Sequence, residues 1–380
     1  MSHLFQNYNR AAIEFVKAEG NTLIDSQGKV YLDFSTGIGV TGLGFHPQVV
    51  TALEEQVAAI WHTPNLYQNS LQEAVAEQLT LTHPDYLAFF CNSGAEANEA
   101  AIKLARKASG KEDIISFNQS FHGRTFGAMS ATGQDKIKQG FGAGVPHFHY
   151  ATYNDLESVK ALVTDQTAAV MLELVQGESG VVPADAAFVS ALADYCQSQG
   201  ILLIVDEVQT GMGRTGHLYA FEHYGISPDI FTLAKGLANG VPVGAMLGKQ
   251  ELGWALDYGS HGSTFGGNKL AMKAAQATLN LLQAPGFLTQ VQEKASYLMG
   301  QLQEQLGDLS SVVEIRGLGA MIGIQTKASL QAIVSQAREQ GLIVLTAGSD
   351  VIRLLPPLTL TTQEIDQGVS ILKSIFEAID

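Results

Sequence analysis

The sequence predicts an α/β protein whose main sheet is mostly parallel and covered by helices on both faces. Three observations predict it. Between about residues 48 and 250, short apolar runs alternate with longer helix-patterned segments. The runs are almost continuously apolar, as strands buried on both faces are. Several of them give way at once to residues that carry chemistry, as strands do at the carboxyl edge of a parallel sheet.

In chain order, residues 22–25 and 29–32 are short strand-like pieces joined through Ser26, Gln27 and Gly28, which reads as an amino-terminal hairpin. The apolar runs follow at 113–117, 168–172, 201–205 and 230–234, with Phe89, Phe90 and Cys91 ahead of them. From Ser93 through about Lys107, alanines recur and helix breakers are almost absent, which predicts a helix. A helical stretch spans 268–306 with a break near Pro285 and Gly286, and an amphipathic helix closes the chain near 362–379. The pattern divides the chain into an amino-terminal segment (1–47), a large domain (48–250) and a carboxy-terminal small domain (251–380); the family resemblance given below implies that the first packs with the last. No Pro- or Ser-rich linker separates them.

The chain has 380 residues, enough for a large core, and its 37 acidic against 22 basic residues leave a formal charge of −15. Such a field repels phosphate backbones and anionic lipid, so neither nucleic acid nor a membrane surface is an expected partner. No basic segment followed by an apolar one opens the sequence, and no run of about 18 uncharged apolar residues occurs, so a soluble cytoplasmic protein is expected. Cys91 and Cys196 are too few for a disulfide framework and are read as structural. No metal-ligand pattern stands out.

The residues just past the apolar runs carry the functional signal. Asp206 ends the run at 201–205, Glu173 ends that at 168–172, and Lys235 follows that at 230–234. Ser93 and Gly94 open the alanine-rich helix, where free backbone N–H groups and the positive dipole end attract an anion. Taken singly, Ser93 reads more readily as an N-cap than as a phosphate ligand, although Gly94 beside it would let a phosphate approach the backbone, and Lys235 reads as an ordinary surface lysine far more readily than as a reactive amine. Together with Asp206 the lysine gains meaning. A buried strand-end amine is a candidate nucleophile, and a neighbouring carboxylate can keep a pyridine nitrogen protonated, as pyridoxal 5′-phosphate (PLP) requires.

Six separated stretches carry a resemblance: 92–106 (NSGAEANEAAIKLAR), 121–125 (FHGRT), 173–178 (ELVQGE), 206–216 (DEVQTGMGRTG), 234–236 (AKG) and 261–268 (HGSTFGGN). On these the sequence resembles the class III (ornithine-type) PLP-dependent aminotransferases, and within them the bacterial acetylornithine aminotransferases most. The resemblance implies PLP fold type I, with a seven-stranded, mostly parallel sheet in the large domain and a smaller α+β domain built from both chain ends. It implies Lys235 as the Schiff-base lysine and proton shuttle, Asp206 as partner of the pyridine nitrogen, and Gln209 as donor to the ring's 3-oxygen. Ser93, Gly94 and Ala95 would line the phosphate cup, with Thr264 supplied by the partner subunit of a homodimer that shares its active sites. Phe121 and Val208 would press on the two ring faces. Arg353 would take a substrate α-carboxylate, Glu178 would pair with it, and Arg124 and Ser263 would contact substrate. His122 is given a positional role only.

The implied reaction moves the terminal amino group of N-acetylornithine to 2-oxoglutarate, giving N-acetyl-glutamate semialdehyde and glutamate, a step of arginine biosynthesis. Aminotransferases of ornithine, succinylornithine, succinyl-diaminopimelate or 4-aminobutyrate share the cofactor residues and remain rivals, as does a catalytically silent binding protein of the same fold. Two departures from the family pattern bear on this. GFHP at 44–47 is one residue shorter than the usual Gly-His-x-His-Pro, which affects the shape of that loop. Ile38 falls where ornithine-specific members carry a tyrosine for the free amino acid, and an apolar residue there favours an acylated substrate.

Overall fold

The computed structural model describes residues 3–380. Seven strands form the main sheet: β1 (Tyr86–Cys91), β2 (Asp113–Phe117), β3 (Phe148–Ala151), β4 (Thr167–Glu173), β5 (Leu202–Asp206), β6 (Ile230–Leu233) and β7 (Gly244–Lys249). Their order is β1-β7-β6-β5-β4-β2-β3. Neighbours from β6 to β3 pair in parallel, while β7 runs antiparallel to both β6 and β1, so one strand of the seven is reversed. The reversal follows from chain length, because the connection 234–243 is shorter than the dozen or so residues a parallel crossover needs. Every residue of β2, β4 and β6 is buried, the outcome the unbroken apolar runs predicted.

The helix Gly94–Ser109 lies on this sheet through Ala97, Ala100, Ala101, Ile102, Leu104 and Ala105, and the small alanines let its backbone come close. It starts at Ser93, whose hydroxyl accepts from the Glu96 N–H at 3.2 Å, and stops at Gly110 in the left-handed region at φ 68°. The carboxyl ends of β1, β4, β5 and β6 face the same edge, where Asn92, Glu173, Asp206 and Lys235 therefore gather.

A second core combines the two chain ends. Val30–Asp33 pairs in parallel with Leu342–Ile343, and Leu32 and Phe34 pack with Leu298, Ile324, Ile352 and Phe376. Beside them, Val312–Leu318, Met321–Thr326, Val351–Leu354 and Leu345–Ala347 make a four-stranded antiparallel sheet. The stretch 268–306 is two helices, Lys269–Leu282 and Phe287–Leu306, with Gly286 between them at φ 79°. Met272 and Leu279 of the first helix sit in the core of the seven-stranded sheet, so packing continues across residue 250 without a gap. The short 44–47 loop ends as a helix start: His46 Nδ1 accepts from the Gln48 N–H at 3.3 Å and caps Pro47–Ala59, while Asn239 bonds to both Leu43 and Gly44. Among the described residues, no helix is long and apolar enough to cross a membrane.

Candidate active site

A cavity of about 450 Å³ opens at the carboxyl edge of the sheet. Its wall includes Ser93, Gly94, Ala95, Phe121, Arg124, Glu178, Asp206, Val208, Gln209 and Lys235, ten residues the sequence had singled out from five separate stretches. The backbone N–H groups of Gly94 and Ala95 have no protein acceptor among the described residues, while Glu96 and Ala97 are served by Ser93. Two free donors at a helix start form a ready cradle for a phosphate. Gly94 is required for the shape of that cradle, since a Cβ there would lie 2.7 Å from Val208 Cγ1.

Lys235 follows β6 in a tight turn, with φ at 42°, where residues bearing a side chain rarely sit. Burial pulls its amine down to about 8; Glu178 resists that shift and Arg353 adds to it. A lysine so placed has a substantial neutral fraction near neutrality and is a competent nucleophile.

One strand away, Asp206 is buried in a network of fixed donors. His122 Nδ1 lies 2.8 Å from Asp206 Oδ2, Asn98 Nδ2 donates to the same oxygen at 2.8 Å, and the Val208 N–H donates to Oδ1 at 3.0 Å. Asn98 also donates to the His122 carbonyl at 2.7 Å and accepts from the Thr232 hydroxyl at 2.8 Å. Burial alone would lower the His122 pKa, but its bond to Asp206 outweighs that and raises it. His122 Nε2 is buried without a partner. Glu173, also at the wall, accepts from the Phe121 N–H at 2.9 Å and so fixes the loop presenting Phe121; burial pushes its carboxyl up to about 7.

Behind the wall residues Glu178 and Gln209, Arg353 Nη1 lies 2.7 Å from Glu178 Oε1 and 3.2 Å from Gln209 Oε1. The arginine side chain is buried while a third of that of Glu178 is exposed, 3% against 33%. Burial would raise the Glu178 carboxyl, yet the Arg353 charge prevails and holds it below the usual carboxylate range. The Arg353 Nε–H is buried and unpaired, a donor held in reserve. Arg124 is exposed, its guanidinium 5.8 Å from the Phe121 ring centre.

Four sequence expectations are not brought into this cavity. Arg353 is outside its wall and meets it only through Glu178 and Gln209, which line it. Thr264 is exposed and outside its wall. Ser263 lies outside as well, its hydroxyl accepting from Asn92 Nδ2 at 3.1 Å and from the Gly266 N–H at 3.0 Å. Ile38 is 42% exposed, and the side chain its segment sends to the wall is Val40, also apolar. Conversely, Asn98 and the Asp206 contact of His122 escaped the sequence reading. The signal for Asn98 was an amide in mid-helix among alanines, where it disfavours the helix unless it has a buried partner.

The geometry has counterparts among known proteins. The profile of the family "Aminotransferase class-III" matches residues 5–376. An acetylornithine aminotransferase of Streptococcus mutans is 71% identical over 99% of both chains, and one of Bacillus subtilis 54% over 98% of this chain and 97% of its own. A solved ornithine aminotransferase of Toxoplasma gondii, with PLP at partial occupancy in its active site, has a TM-score of 0.95 at 30% identity, covering 99% of this chain and 92% of that one. The solved N-acetylornithine aminotransferase of Stenotrophomonas maltophilia reaches 0.84 at 34% identity, covering 98% and 97%. Because these matches run nearly end to end and not over a shared module, the chain belongs to the class-III aminotransferase family, the enzymes that work with PLP.

Proposed function

We propose that this aminotransferase moves the terminal amino group of N-acetylornithine to 2-oxoglutarate, yielding N-acetyl-glutamate semialdehyde and glutamate, in arginine biosynthesis. The observation that carries the reading is the Glu178–Arg353 ion pair beside the Lys235 amine. It covers a carboxylate-binding arginine while a donor without a carboxylate at its reacting end occupies the site. The identity to enzymes named for acetylornithine, together with the apolar Val40 at the wall, supports an acylated donor over free ornithine.

The residues fit PLP. Its phosphate suits the free Gly94 and Ala95 N–H groups and the Ser93 hydroxyl; Phe121 and Val208 supply the two faces of a slot, and Asp206 its anionic floor. Gln209 offers an amide to the ring's 3-oxygen. When bound, the cofactor supplies an electron sink for charge released at the substrate carbon. Asp206, fixed by hydrogen bonds with His122 and Asn98, would hold a proton on the cofactor's pyridine nitrogen. Lys235 Nζ would hold the cofactor covalently and would carry the proton at the reacting centre. Arg353 binds the α-carboxylate of glutamate or 2-oxoglutarate once Glu178 swings aside, its planar fork suiting two oxygens. Arg124, at the mouth, meets the distal end of the substrate.

The assembly belongs to the same proposal. We place the cofactor-binding unit at 48–250 with 1–47 and 251–380 packed around it, the enzyme in the cytoplasm, and Thr264, with Ser263 beside it, in the site of a second copy of the chain. The discriminating experiment compares kcat/KM for N-acetylornithine, ornithine and 4-aminobutyrate. N-acetylornithine should lead by at least about tenfold, and parity of either rival overturns the substrate assignment.

A further inference from the structure

We propose that Arg316 is a positioning residue for the Glu178–Arg353 pair, gripping the turn that carries Glu178 against the sheet face that carries Arg353. This rests on the gating role given to Glu178 above. The turn is residues 177–181, because Val175 pairs with Pro183 and Gln176 with Val182 in a two-stranded ribbon. Beneath it, the antiparallel sheet places Arg316 opposite Gly323 and Gly323 opposite Arg353. Directly opposed residues send their side chains to the same face, so two guanidiniums flank a residue with none, two strand spacings or about 10 Å apart.

The turn occupies the slot between them. A Cβ at Gly323 would stand 3.0 Å from Val181 Cβ, 3.0 Å from Val351 Cγ1 and 3.2 Å from the Gly180 carbonyl oxygen, so a side chain there would press on the turn and on the strand that carries Arg353. Arg316 Nη2 donates to the Gly180 carbonyl at 2.8 Å, and its Nε to the Gly180 and Val181 carbonyls at 3.2 Å each. Its remaining nitrogen is fixed by Glu314 at 2.6 Å and Gln325 at 2.8 Å. From the far side the Gly348 N–H holds the Glu178 carbonyl at 2.8 Å.

This grip has something to hold. Val181 sits at φ 54°, in the left-handed region that β-branched residues avoid, so the turn does not rest in its own preferred conformation. Released, it relaxes and carries the Glu178 carboxylate away from Arg353. Arg316 itself lies outside the cavity wall and touches none of the groups expected to react.

The test measures the glutamate and N-acetylornithine half-reactions separately, by rapid mixing of holoenzyme, in Arg316→Gln, Arg316→Lys, Glu178→Ala and the Arg316→Gln/Glu178→Ala double variant. Arg316→Gln should shift the ratio of the two rates toward glutamate by about threefold or more, with Arg316→Lys, which keeps one donor, between it and wild type. In the Glu178→Ala background, Arg316→Gln should add no further shift, because the group it positions is gone. If Glu178→Ala shifts the ratio and Arg316→Gln does not, or if Arg316→Gln shifts it equally in both backgrounds, the positioning role is wrong. If Glu178→Ala shifts nothing, the gating role fails and this one with it. Should Arg316→Gln not fold, Arg316→Lys carries the test alone: a shift toward glutamate that disappears in the Glu178→Ala background supports the grip, and an unchanged ratio overturns it.

Discussion

The His122 imidazole lies 2.8 Å from the Asp206 carboxylate in a site where neither side chain is more than 3% exposed. A buried polar pair of this kind is retained at a cost in desolvation, and the hydrogen bond fixes the Asp206 carboxylate in place. Asp206→Asn keeps the shape and removes the charge. We expect cofactor to stay bound, seen as visible absorbance, while kcat falls by about three orders of magnitude, or about 4 kcal/mol of barrier. A loss under about tenfold would show that Asp206 has another job.

Lys235→Ala should abolish transamination and leave the far-ultraviolet circular dichroism unchanged, because the amine is spent on chemistry and makes no hydrogen bond among the described residues. The pH dependence follows from the depressed amine. A nucleophilic amine must be neutral, and the neutral fraction grows as pH rises through about 8. Uptake of PLP by cofactor-free enzyme should therefore quicken by about tenfold from pH 7 to pH 9 and then level off. A rate still climbing steeply at pH 10 would give Lys235 an ordinary lysine value.

Much of this arrangement was legible in the sequence because it is local. Unbroken apolar runs marked β2, β4, β5 and β6, and strand-end positions put Asp206 and Lys235 at one edge. The break at Gly286 was legible too. The rest depends on relations that no window of sequence contains. Reversal of β7 appears only when its connection is measured against β6. Asn98 takes its meaning from Asp206 and Thr232, both more than 100 positions away. Val40 replaces Ile38 at the cavity because residues 36–39 all take positive φ and turn the segment by steps a strand or helix pattern would not predict.

Thr264 bears on assembly. If two chains share their sites, an inactive Lys235→Ala chain mixed with an inactive, disruptive Thr264 variant should regain activity, because one of the two sites in each mixed dimer is then intact. Activity no higher than in the parental proteins, with subunit exchange verified by mass spectrometry, would mean that each chain builds its own site.

The Glu178–Arg353 pair should set the balance between the two half-reactions. Donor and acceptor make opposite demands: glutamate brings an α-carboxylate that needs Arg353, whereas the ω-amino end of N-acetylornithine brings none. On the proposed gating, Glu178 would neutralise the guanidinium for the donor and uncover it for glutamate by rotation of a side chain that is already one-third exposed. Because the Glu178 carboxyl is held below its usual range, the pair persists through neutral and mildly acidic pH and is lost only as pH falls through that depressed value. Glu178→Ala leaves Arg353 permanently available and should speed the glutamate half-reaction relative to the N-acetylornithine one by about tenfold, or about 1.4 kcal/mol of differential transition-state binding. Between pH 6 and pH 8 the Glu178 carboxyl stays ionised, so its titration adds no pH dependence to the ratio there. Rapid mixing of each half-reaction alone is the required measurement, because steady-state rates blend the two. Equal slowing of both halves in the variant would reduce Glu178 to a structural partner of Arg353 and place the switch elsewhere.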